Sequence, residues 1–166
     1  MKTTLLFLLL LLSLTTFSQS YNLQSGINNY QEDKYDEALA FLKKEIAQNP
    51  KEGKAYYYIA LINVENKTYA QGLTQVNLSI ANLASTDTLV AYAWKLKGDI
   101  YYHLDDVEKF ESSYAKAISL NPNEPSIYYG RAFNYGGFKQ YDKAIADINK
   151  VLELDEGSIR ARDLLA

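Results

Sequence analysis

No cysteine occurs in the 166 residues, and there are only one histidine, one tryptophan and three prolines. Without cysteine the chain has no disulfide, no thiolate metal site, no cysteine nucleophile and no lipid attached through sulfur. With a single histidine, neither a histidine-rich metal site nor a Ser-His triad is expected. Basic residues form no block, and 17 of them against 20 acidic ones give a net charge of −3. Nucleic-acid backbones demand clustered Lys and Arg, so nucleic acid is not an expected partner. Phosphate-binding loops are missing too, since Gly136-Gly137 is not followed by lysine. The expectation is a protein that is not an enzyme and holds no cofactor and no metal.

Long apolar runs are also scarce, with one exception at the start. Lys2 is the only charge before Glu32, and Leu5 to Leu12 is unbroken apolar sequence. Small and polar residues follow up to Ser20, so residues 1–20 read as a secretory signal peptide, cut after Ser18 or Ser20. The run is shorter than the roughly 20 residues a span requires, and a retained signal anchor is the alternative. Export to the periplasm or the extracellular space, with a bacterial envelope favoured, follows from this reading.

What is abundant is tyrosine, with 15 residues, and a recurring spacing. Gly26 and Ala60, Gly98 and Ala132, Ala38 and Gly72, and Phe110 and Ala144 are each 34 residues apart. One unit runs Trp94, Leu96, Gly98, Tyr101, then Phe110, Tyr114, Ala117 and Pro122; the next runs Tyr128, Ala132, Tyr135, then Tyr141, Ala144, Ile148 and Val151. Asn49-Pro50 and Asn121-Pro122 are expected to end helices, because the residue before proline is pushed out of the helical region. With these residues the chain resembles the tetratricopeptide repeat family, whose 34-residue unit is a pair of antiparallel helices. Four units fit, at about 19–52, 53–86, 91–124 and 125–158, with a cap at 159–166. Residues 21–166 thus form one repeat domain, all-α, and the resemblance implies a right-handed α-solenoid.

Departures from the pattern carry their own expectations. Asn22, Ser25 and Asn29 are expected to give the first helix the polar outer face of a terminal cap. Ala60 to Gly98 spans 38 residues, so the loop near Leu83 to Leu89 is longer or the next helix starts early near Thr88, with Asp87 as N-cap. Gly136-Gly137 reads as a helix C-cap and turn. Residues from Ser158 onward begin a fifth first helix and stop, as a cap on the fourth unit or as a truncated chain. Tyr35, Tyr69 and Tyr141 are expected to fill core gaps beside small residues.

By the resemblance, first helices line a concave face. Its expected binding residues are Tyr30, Tyr57, Leu61, Tyr92, Lys95, Tyr102, Tyr129 and Phe133, with Lys95 orienting the ligand. The alternative for each is simple packing against a neighbouring unit. Members that clamp a peptide's terminal carboxylate use Lys, Asn and Arg, whereas the matching positions here include Leu23, Ile27, Tyr58, Tyr92 and Leu96. The expected partner is therefore an apolar or aromatic protein segment, and the chain a non-catalytic protein–protein interaction scaffold. Rival readings are a carbohydrate or peptidoglycan binder, since tyrosine stacks on sugar rings, and a self-association module. His103, near Asp105 and Asp106, reads as a charge at a helix C-terminus rather than a ligand.

Overall fold

Residues 21–165 are described by a computed structural model, and the signal-peptide reading of 1–20 lies outside them. Among the described residues there are helices and turns and no strand. In chain order the helices are α1 (21–31), α2 (Tyr35–Gln48), α3 (Gly53–Glu65), α4 (Tyr69–Asn82), α5 (Leu89–His103), α6 (Val107–Leu120), α7 (Pro125–Gly137), α8 (Tyr141–Leu154) and α9 (Ile159–Leu165). They form two compact units that meet in sequence at Leu83 and Ala84. The first holds α1 to α4 and the second α5 to α9.

Helices pair antiparallel inside each unit. In the first unit Asn22 at the start of α1 donates to Gln48 at the end of α2, while Gly26 lies against Leu42. Gly53 opens α3 beside Leu83, just past the end of α4. In the second unit Arg131 pairs with Asp147 and Tyr135 approaches Lys143. Asn22 is buried, so that side of α1 is not the solvated cap face expected from its polar sequence.

Size complementarity sets how closely the helices approach. A Cβ at Gly26 would sit 2.6 Å from Leu42 Cγ, and one at Gly98 would sit 2.5 Å from Tyr114 Cδ2. Where the repeat has alanine instead, at Ala60 and Ala132, the residue matching Leu42 or Tyr114 is the β-branched Val76 or Ile148. Glycine thus stands opposite Leu42 and Tyr114, which are unbranched at Cβ, whereas alanine is matched in the repeat by β-branched residues; glycine at the contact keeps the axes close without overlap.

The turn inside each pair is the same. The residues in left-handed conformation are Asp33, Lys67, Asp105 and Lys139, with φ of 57°, 58°, 57° and 60°. After each, the next amide reaches back five residues: Lys34 to Asn29, Thr68 to Asn63, Asp106 to Tyr101 and Gln140 to Tyr135. These bonds cap the last carbonyls of α1, α3, α5 and α7. Gly136-Gly137 is therefore not the turn: both residues lie inside α7, no glycine among the described residues has positive φ, and Lys139 makes the turn.

Pair-to-pair loops use a different device. Glu52 and Glu124 accept from the amides of Lys54 and Ser126, at 3.1 and 3.2 Å, and cap α3 and α7. Pro125 then occupies the first helical turn, where a missing N–H costs nothing. Tyr56 and Tyr128 donate their hydroxyls to the carbonyls of Pro50 and Pro122, at 3.1 and 2.9 Å. Ahead of α5 the chain takes both expected options. The loop is longer, the helix begins at Leu89, and Asp87 accepts from the Leu89 amide at 2.9 Å.

Each unit has its own core. Ala38, Leu42, Ala55, Ile59 and Ile62 centre the first. Phe110, Tyr114, Ile127 and Tyr135 centre one cluster of the second, and Tyr128, Ala132, Ile148, Val151 and Ala161 another. Tyr141, expected to fill a gap, is instead 60 % exposed.

Candidate functional site

Tyr30 near the end of α1, Tyr35 at the start of α2, and Tyr57 and Tyr58 in the first half of α3 form one aromatic group of the first unit. Tyr30 lies 5.8 Å from the Tyr35 ring and 5.4 Å from that of Tyr58, and Tyr58 lies edge-on to Tyr57 at 5.6 Å. Such edge contacts add to burial because a ring's positive rim meets a negative face. Tyr30 is half-buried, and burial, with Glu65 next, pushes its phenol up to about 12. Burial likewise raises Tyr58. Tyr57 and Leu61 are half-buried on the same helix, α3.

Tyr58 had no expected role, yet it joins Tyr30 to Tyr57. Its place in the repeat gives the signal. The sixth residue of a unit faces the pair before it, as Gly130 does in the second unit, where it lies against Lys95 and Tyr114.

In the second unit the expected residues separate into two groups. Tyr102 is committed to packing: its ring is edge-on to Phe138 at 5.0 Å and occupies the space where a Gly137 side chain would be. Lys95 is committed to charge, through an ion pair with Asp99 at 2.9 Å. The other Asp99 oxygen accepts from the Tyr114 hydroxyl and from Asn134 Nδ2, the latter at 2.8 Å. This network joins α5, α6 and α7, and desolvation, aided by Asp99, drives the Tyr114 phenol well above its usual range. Gly130 makes room for it, since a Cβ there would sit 2.7 Å from Lys95 Cε and 2.8 Å from the Tyr114 hydroxyl.

Tyr92 and Tyr129 are half-buried, as Tyr102 is, and Phe133 is exposed. Burial raises the Tyr92 phenol, and a hydrogen bond to Glu124 adds to it. Tyr129 lines a cleft of about 330 Å³ with Glu124, Ser126, Asp155, Ser158 and Arg160. Phe133 is 57 % exposed and lines a second, apolar cleft between α7 and α8. The structure thus brings Tyr30 and Tyr57 together through Tyr58, and links Lys95 to α7. It does not bring Tyr129 and Phe133 into one cleft.

Sequence reasoning also missed the Arg131–Asp147 pair, which is bidentate at 2.7 Å on both arms and largely buried. Opposite charges 16 residues apart carry no local signal until the antiparallel pairing of α7 and α8 is known. Among the described residues no three His, Asp or Glu side chains converge as a metal site, and no helix is long and apolar enough to cross a membrane.

Comparison with known proteins accords with this geometry. Residues 91–124 and 125–158 each match the sequence model of the family described as Tetratricopeptide repeat. A TPR repeat-containing protein of Methanocaldococcus jannaschii is 29 % identical over 145 residues, covering 87 % of this chain and 25 % of that protein. The chain spans a quarter or less of the length of the curated relatives it matches. A thermophilic TPR protein of Thermus thermophilus superposes with a TM-score of 0.75 at 20 % identity, over 89 % of this chain and 79 % of that one. YrrB, described as a TPR protein with an unusual peptide-binding site, gives a TM-score of 0.64 at 15 % identity, over 87 % and 81 %. Residues 91–158 thus match two tetratricopeptide repeats in sequence, and the all-α chain shares its fold with solved proteins described as TPR proteins.

Proposed function

We propose that the chain is a non-catalytic scaffold of the cell envelope that binds protein segments on the tyrosine-bearing first helices of each unit, α3 in the first and α5 and α7 in the second. The observation that carries this reading is the partial exposure of Tyr57, Leu61, Tyr92, Tyr129 and Phe133, all on those three helices. Tyrosine suits such a face because it offers large area with few rotors and one polar tip. Peptide binding by YrrB, a fold relative, supports the same use of the architecture. Lys95 contributes less than its charge suggests, since Asp99 already neutralises it. Placement in the envelope rests on the sequence of residues 1–20 alone.

The test is affinity capture from envelope extract followed by mass spectrometry, comparing the parent with a Tyr57→Ala, Tyr129→Ala double variant. The double variant is expected to keep its helical spectrum and its melting cooperativity and to lose the partner. If it retains every protein the parent captures, the reading is wrong.

A further inference from the structure

The ring group of the first unit reaches its acidic end. α1 and α3 finish there and α2 begins there, which brings Asp33, Asp36, Glu37 and Glu65 to that end. Lys43, Lys44, Lys51 and Lys54 lie toward the other. Tyr35, Tyr30, Tyr58 and Tyr57 follow one another at ring distances of 5.8, 5.4 and 5.6 Å, and each keeps part of its surface exposed. Tyr58 and Glu65 are about two turns apart, so they lie on one face of α3.

Two carboxylates stand close enough to act on these phenols. Burial pushes Tyr30 up to about 12, and Glu65 and Asp33 add to it. At Tyr35 the hydrogen bond to Asp33 raises the phenol first, and Glu65 contributes again. No Lys or Arg among the described residues forms an ion pair with Asp33 or Glu65, and Lys34 beside Asp33 is held by Glu32 at 2.6 Å.

The second unit has the same place with its own cation. Seventy-two residues later, the counterparts of Leu23, Tyr58 and Glu65 are Lys95, Gly130 and Gly137. Lys95 lies against Gly130 and pairs with Asp99 at 2.9 Å. Tyr102, the counterpart of Tyr30, packs on Phe138 beside Gly137. The first unit has leucine in place of that lysine, a ring in place of Gly130 and a carboxylate in place of Gly137. It lacks the internal cation and carries two groups that attract one, a ring face and an unpaired carboxylate.

We infer that this face takes an arginine side chain of a partner polypeptide, its guanidinium laid on the exposed parts of the Tyr30 and Tyr58 rings and paired with Glu65. Arginine suits the place better than lysine, because its planar, weakly hydrated head stacks on rings and pairs with a carboxylate at once. The inference rests on the reading of first helices as binding faces and adds the chemistry of what one of them takes.

The test uses the full chain with isotope-labelled tyrosine rings, read by NMR. It is titrated with the peptide acetyl-Leu-Ala-Arg-Ala-Leu-amide and with the same peptide carrying citrulline, which keeps the shape and loses the charge. The arginine peptide is expected to shift the Tyr30 and Tyr58 ring signals saturably and to bind about five- to tenfold tighter than the citrulline peptide. Glu65→Gln, at an exposed position, is expected to cut that preference by about threefold and to leave the citrulline peptide unchanged. Tyr58→Leu is expected to remove most of the preference, and Tyr58→Phe, which keeps the ring, to retain it. Where Tyr58→Leu does not fold, Glu65→Gln and Tyr58→Phe decide. Equal binding of the two peptides would overturn the inference and leave the first helices as binding faces, whereas the wider reading fails on the capture experiment with Tyr57→Ala, Tyr129→Ala. An arginine peptide without saturable shifts, or a preference unchanged in Glu65→Gln, would overturn it as well. So would spermidine that shifts the same rings at least as tightly as the arginine peptide, which would assign the place to free cations.

Discussion

Four side chains carry the strain of the tight turns. Asp33, Lys67, Asp105 and Lys139 adopt a left-handed conformation that costs an L-residue about 1–2 kcal/mol relative to glycine. Aspartate tolerates it better than lysine does. Lys67→Gly and Lys139→Gly are therefore expected each to stabilise the fold by about 0.5–1 kcal/mol, after the unfolded-state entropy of glycine is set against the relief. Urea unfolding of the single variants checks this, and a loss of stability in both would contradict it.

Glu45 offers a second case at the same scale. It is 1 % exposed, one carboxylate oxygen has no hydrogen-bond partner, and burial, with Glu52 next, raises its pKa from 4.5 despite the Leu23 amide. A carboxyl whose folded pKa exceeds its unfolded value binds more protons when folded. Its contribution to stability therefore falls as pH rises from 4.5 through the folded value. Glu45→Gln is expected to be more stable than the parent at pH 7, with the gain shrinking as pH approaches 4. Unfolding at the two pH values decides it: a gain that is the same at both contradicts the assignment.

At the scale of helix pairs, the contact between first and second helices is a matched set of sizes. Gly26 meets Leu42, while the matching residues of the next repeat are Ala60 and Val76. Gly26→Ala is expected to destabilise by about 1–3 kcal/mol through overpacking on Leu42. Adding Leu42→Val recreates the Ala60–Val76 combination and is expected to recover about half of that loss or more. A double-mutant cycle that shows simple additivity would show that the two side chains do not share the constraint. This set was half legible in the sequence. The small residues stand out at their 34-residue spacing, but which large residue faces each depends on the crossing of the helices. Spacing also misled at Gly136-Gly137, because adjacent glycines suggest a turn, whereas Gly137 is small to admit the Tyr102 ring. The Lys95–Asp99–Tyr114–Asn134 network was invisible for the same reason: its members come from three helices.

At the scale of the whole molecule, the class of fold was legible because a repeat writes the same packing problem several times. The 15 tyrosines were less so. Tyr56 and Tyr128 tie loops, Tyr114 holds a buried network, and Tyr30 and Tyr102 stack within their units. Among the partly exposed tyrosines that remain, Tyr57, Tyr92 and Tyr129, on α3, α5 and α7, are those on which the binding proposal most depends. Hydrogen exchange of the full chain, with and without the partner captured from envelope extract, tests that claim most directly. Slowed exchange concentrated in α3, α5 and α7, at the segments around Tyr57, Tyr92 and Tyr129, is the predicted result. Slowing confined to α2, α4, α6 and α8, with the first helices unchanged, would contradict it.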